Sequence, residues 1–180
     1  MAFDQAVSWS NQANSIRKQL DKRQDTCFLL NFLVCSGLSV ELYLKALMLV
    51  GRNGLVTGGH DLLSLYEEFP PFLKHELEAA YHSHVRDISH PIDVQAIRMS
   101  VNRPNTPPDT HRLSSEYNSF ETTIKGIKSV FVKSRYFFEQ VTTDDYAYIE
   151  YPPGQIKAVI FSLHQVYERF IKGDFAGKLT

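Results

Sequence analysis

The chain has 180 residues, 43% of them apolar and 22% charged, with a formal net charge of -1. Those values describe one globular domain, residues 1–180, long enough to bury a core. A near-neutral balance excludes the overall basic field of a protein that coats nucleic acid, although a local patch is still allowed.

Ala2 to about Lys22 is predicted to be a polar amphipathic helix, with Phe3, Ala6, Val7, Ala13, Ile16 and Leu20 on its apolar side. Lys22 to Asp25 is a short turn, and Asp25 or Thr26 can cap the next helix. That helix, Thr26 to about Val50, is apolar almost all round, as the central element of a bundle must be. Its charge-free stretch, Thr26 to Val40, is shorter than the roughly 20 residues of a membrane span. Glu41 and Lys45 then interrupt it, so a buried helix with no membrane partner is expected. The opening MAFDQAVSWSNQ lacks the basic-then-apolar pattern of a secretory leader. Cys27 and Cys35 lie too far apart along one helix to be bridged, so reduced thiols and a cytoplasmic setting are expected.

Gly51 and Gly54 end the apolar helix, and Leu55 to Gly59 is a loop. Asp61 opens a short helix to Phe69, where an anion favours the helix start. Pro70-Pro71 breaks it, and Pro71 suits the first turn of another helix reaching about Val85. Asp93 to about Val101 reads as a further helical piece, and NRPNTPPDTHR, Asn102 to Arg112, as a loop. A helix starts at Ser114 or Ser115 and reaches Glu139. Thr142 to Pro153 is irregular, with a short strand in YAYIEY. The last helix, Gln155 to Lys172, carries Ile156, Val159, Ile160, Leu163, Val166 and Phe170 on one side. The fold class is therefore all-α, an up-and-down helical bundle with short additional helices.

The charges in VELYLKALMLVG need an explanation. Glu41 and Lys45 are neighbours on one helical face, where an exposed pair contributes only about 0.3–0.5 kcal/mol. A buried pair must find further partners or lose several kcal/mol to desolvation. His60, Asp61 and a downstream arginine are the candidates. Three readings stand: a solvated stripe along the line of Asn31, Cys35, Leu38, Lys45 and Arg52; a buried network; or a Glu-Lys-His cluster for acid–base work. No nucleophile or phosphate loop accompanies the third, and GRNGLVTGG follows a helix and lacks the Lys-Ser/Thr ending of a phosphate loop.

VELYLKALMLVG, then GHDLLSLYEEF, then SRYFFE before a final amphipathic helix resembles the HEPN superfamily (higher eukaryotes and prokaryotes nucleotide-binding). The similar branch is bacterial, with ELxLKALL, GHDL and RYxxE. By element order the resemblance runs from Val7 to Ile171, and its motif positions here are Glu41, Lys45, Gly59, His60, Asp61, Leu62, Arg135, Tyr136 and Glu139. It implies an up-and-down bundle paired as a homodimer and a setting such as toxin–antitoxin systems, phage defence or RNA processing. Many members are metal-independent ribonucleases, in which an Arg and a His a short distance after it meet their copies across the dimer. Here Arg135 is followed by Gln140, Val141 and Thr142 at those distances, and Arg86 to His90 is too short. The resemblance therefore implies a binding or accessory component for nucleotide, RNA or a cognate protein partner, without cofactor. Arg135 is expected to return to Glu41, Lys45 and His60 as a bidentate hold. The competing expectation is a metal-independent ribonuclease with a non-standard centre of Arg135, His60 and Lys45.

Two further groups carry less. His75, His82, His84 and His90 cluster in sequence, but His82 and His84 point about 200° apart on a helix, so no metal site is expected. Lys125, Lys128, Lys133 and Arg135 lie among Tyr117, Phe120, Phe131, Tyr136, Phe137 and Phe138, where core aromatics on a helix with a solvated basic face are expected.

Overall fold

The computed structural model describes residues 1–23, 26–51, 59–86, 88, 95–100, 109–112, 117–128 and 148–178. Six helices form the bundle among them: α1 Ala2–Arg23, α2 Thr26–Gly51, α3 Leu62–Glu67, α4 Pro71–Arg86, α5 Phe120–Ile127 and α6 Pro153–Ile171. The fold is an all-α bundle, to which a small three-stranded antiparallel sheet is added.

The apolar helix α2 is the axis of the fold. Leu33, Val40, Tyr43, Leu44, Leu47 and Met48 are each almost wholly buried along it. A cylinder that is apolar on every side has to be covered on every side. α1 packs along one flank through Ala6, Ala13 and Ile16, and α6 along another through Ile156, Val159, Leu163 and Val166. The Ser39 hydroxyl donates to the Ala6 carbonyl at 2.9 Å, so this buried polar group is satisfied by α1. By length and composition Phe28–Gly51 could cross a membrane, but 61% of that window is buried inside the bundle. Here the apolar surface is matched by protein.

The shorter helices close the rest of the core. Asp61 caps α3, its carboxylate accepting from the Ser64 amide at 2.8 Å, and Pro71 occupies the first position of α4. Ser119 and Thr122 form a reciprocal capping box at α5. The Glu78 carboxylate of α4 accepts from the Phe120 amide at 3.0 Å, so an anion sits at the start of α5. The Tyr81 hydroxyl, completely buried, donates to the Tyr117 carbonyl at 3.0 Å and lies 2.7 Å from Thr123 Oγ1. Gly126 lets Tyr117 pack closely, since a Cβ there would meet Tyr117 Cε1 at 2.6 Å. After α6 the chain folds back and buries Phe175 between Phe72 and Phe170, beneath the Arg169 guanidinium at 4.8 Å. Arg169 also reaches Glu76 of α4 at 2.7 Å and Asp174 at 3.2 Å.

Several expected boundaries shift. Within the helical piece expected from Asp93 to about Val101, the described residues Gln95–Ser100 form a strand, β1, paired with β2 Asp109–Arg112 and with β3 Tyr148–Tyr151. The pattern QAIRMS has both periods, and pairing on both edges decides it by satisfying the backbone as a strand. The end of the proline-containing segment, expected as loop, supplies β2, while the strand expected in YAYIEY is present as β3. α5 begins at Phe120, later than Ser114 or Ser115, because Ser119 has the capping partner. The extension expected to Glu139 lies outside the described residues.

Glu76 yields a pH prediction. Burial opposes its ionisation, but the hydrogen bonds and charges of Arg169 and Lys178 together outweigh burial and hold its pKa below the ordinary 4.5. A depressed carboxylate adds stability above its unfolded pKa and loses it as pH falls through the folded value. The melting temperature of Glu76→Gln is therefore expected to lie below that of the parent near neutral pH, with the gap closing in acid below about 4.5. Thermal melts across that range check it, and a gap independent of pH would contradict it.

Candidate functional site

One carboxylate organises the candidate site. Glu41 lies on α2 with 8% of its surface exposed, the only buried Asp, Glu, Lys, Arg or His among the described residues. Its Oε1 accepts from Lys45 Nζ at 2.7 Å, one helical turn on, and lies 2.8 Å from His60 Nδ1. The helix sets the first contact, since positions four apart are neighbours on one face. The second comes from the residues just ahead of α3. Gly59 has φ +131°, a region that residues with a Cβ rarely adopt, and its conformation sets His60 beside Glu41. Asp61, next in the chain, holds the start of α3. The Ser64 amide bond is the main reason its carboxylate is lowered from the ordinary value, with Lys128 adding a smaller electrostatic pull.

The three partners differ in exposure. The side chains of Glu41 and Lys45 are 11% and 21% exposed, whereas that of His60 is 71% exposed. An ionised carboxylate only accepts, so against Glu41 the imidazole donates from Nδ1 and presents Nε2 to solvent. The cluster thus has an enclosed anion, a half-enclosed cation that neutralises it, and an outward-facing imidazole. It can fasten a turn to a helix, and it can offer one imidazole nitrogen to a ligand.

Of the residues expected at this site, Glu41, Lys45 and His60 converge, and Asp61 turns aside to cap α3. Arg135, Tyr136 and Glu139 lie outside the described residues, as do Arg52 and His90. The solvated-stripe reading fails at its centre, because Glu41 and Cys35 are buried, although Asn31 is exposed. Burial pushes the Cys35 thiol above its ordinary pKa, which disfavours the reactive thiolate. Lys125 and Lys128 are exposed beside the buried Phe120, as a solvated face requires. His82 pairs with Glu78 at 3.1 Å and His84 with Gln165 at 3.0 Å, so these histidines serve different neighbours.

Sequence reasoning missed a second polar cluster between α2 and α6. The Tyr43 hydroxyl lies 2.9 Å from His164 Nδ1, and His164 Nε2 is 3.4 Å from Glu168. Phe3 stacks on Tyr167 at 4.0 Å and on His164 at 5.3 Å. Burial, with Glu168 adding to it, pushes the Tyr43 hydroxyl up to about 12. The signal available was His164 and Glu168 four apart on the final amphipathic helix, the same spacing that singled out Glu41 and Lys45.

No protein-family model, curated protein or solved structure matches the chain.

Glu41→Ala is expected to lower unfolding stability by about 1–3 kcal/mol, because it strands Lys45 beside apolar surface and releases the His60 turn. Lys45 can partly reach water, which limits the loss. Chemical denaturation of the variant checks this, and an unchanged midpoint would contradict the network.

Proposed function

We propose that the chain is a HEPN-like binding or accessory protein and not a nuclease, acting as a cytoplasmic homodimer that engages nucleotide, RNA or a cognate protein partner. A toxin–antitoxin or defence setting is the context the resemblance suggests. The observation that carries the reading is the double hold on Glu41: one buried carboxylate oxygen engages both Lys45 at 2.7 Å and His60 at 2.8 Å. The groups that would have to move protons or steady a phosphate in a Lys-His centre are engaged on Glu41, which joins α2 to His60 at the start of α3. The ribonuclease spacing of arginine and histidine is also missing from the sequence.

A second reading, a metal-independent ribonuclease using Arg135, His60 and Lys45, draws on the 71% exposure of the His60 side chain. An imidazole oriented through Nδ1 by a carboxylate and open at Nε2 has the arrangement of a general base.

The two separate in one assay. The purified protein is incubated with transfer, ribosomal and messenger-like RNA in chelator, and products are resolved by electrophoresis. The accessory reading expects intact RNA at any protein concentration. Cleavage that is lost in both His60→Ala and Arg135→Ala would establish the ribonuclease reading in its place.

A further inference from the structure

A cavity of about 410 Å³ opens between α1, α2 and the start of α6, away from the Glu41 cluster. Ser36 lines it, and five residues along α2 separate Ser36 from Glu41, a rotation of about 140° on a regular helix. Apolar side chains make its walls, chiefly Phe32, Ile160 and Phe161. Its size falls in the range of roughly 300–1,000 Å³ typical of small-molecule sites.

Three features at this cavity favour an anion. Lys18 and Lys157 line it, both exposed, and neither has an acidic partner among the described residues. Lys157 Nζ lies 5.6 Å from the centre of the Phe161 ring, so a cation and an aromatic face are presented together. Pro153, the first residue of α6, also belongs to the wall. That 19-residue helix has Pro152 as its N-cap and no side-chain cap, so its positive end is left without a side-chain acceptor. Ser36 is the independent observation. It is 1% exposed, and its hydroxyl has no hydrogen-bond partner, although a buried hydroxyl without one is costly. A ligand oxygen in the cavity would relieve that cost.

We propose that this cavity binds a small amphipathic anion, with a phosphate or carboxylate head held by Lys157, Lys18 and the Ser36 hydroxyl and an aromatic body against Phe32 and Phe161. Phosphate and carboxylate share the chemistry the site recognises: negative charge, acceptor oxygens and no donor required. The neutral polar alternative fits less well, because two ammonium groups and a helix N-terminus offer only positive charge. The site is independent of the accessory-protein reading, and its failure would leave the RNA assay unaffected.

The test is titration of the full ¹⁵N-labelled chain with 1-naphthyl phosphate, 1-naphthoate, inorganic phosphate and 1-naphthol. The expected result is saturable shifts at Ser36, Ile156 and Lys157 for one or both naphthyl anions, the tighter of them identifying the head group. Inorganic phosphate and naphthol should each bind at least about tenfold more weakly, since each lacks one half of the recognition. Lys157→Gln should weaken the anion about five- to tenfold and leave naphthol unchanged. Ser36→Ala removes an unpartnered hydroxyl, so it should fold normally yet weaken the anion several-fold. Absence of saturable shifts, shifts centred on Lys45 and His60, or affinity indifferent to both variants would overturn the proposal.

Discussion

Glu41 shares the most apolar helix of the chain with Leu44, Leu47 and Met48, all of which are fully buried. A carboxylate in such a place is tolerated only when donors surround it, and Lys45 and His60 supply them on one oxygen. The apolar surface around that carboxylate sets the placing of the neighbouring helices. α2 must be covered by α1 and α6, which accounts for its lying at the centre. His60 meets the same carboxylate from just ahead of α3, where Gly59 has a positive φ and Asp61 caps the helix. The burial of Leu62, Leu65 and Tyr66 then fixes α3 against the core and keeps the turn in register.

Much of this was legible because it is local. The 3.6-residue pattern marks α1, α2 and α6, prolines mark the start of α4, and four-residue spacing marks the Glu41–Lys45 contact. Asp61 as the opening of a short helix could be read from residue type and place alone. Other features depend on partners distant in sequence, and there the reading failed. QAIRMS suits a helix or a strand, and only β2 and β3 alongside it settle the matter. The start of α5 could not be placed between several serines, because the choice rests on which one meets Thr122 and on Glu78 arriving from α4. The Tyr43–His164 contact joins positions 121 apart, and nothing local announces it. The cavity beside Ser36 is a product of three helices meeting, so no motif reports it.

The polar groups in and around the bundle fall into two kinds. Tyr81, Ser39, Glu78 and Glu76 are satisfied by specific neighbours and lock one helix to the next. They make the bundle a single arrangement instead of a loosely packed set of helices. His60, Lys157 and Ser36 are different: each has capacity left over after the fold is made. The first faces solvent, the second lies over a ring, and the third sits in a cavity without a partner. Groups of the second kind are where a ligand can be recognised without disturbing the core.

The claim that Glu41 and His60 act as one unit is tested most directly by a double-mutant cycle. Unfolding free energies of the parent, Glu41→Gln, His60→Ala and the double variant would be measured by urea titration near pH 7. Because the His60 side chain is largely exposed, a coupling energy of about 0.5–1 kcal/mol is expected, with the double variant less destabilised than the sum of the singles. A coupling energy of zero within error would mean that the turn and the helix are held by other means, and the account would fail.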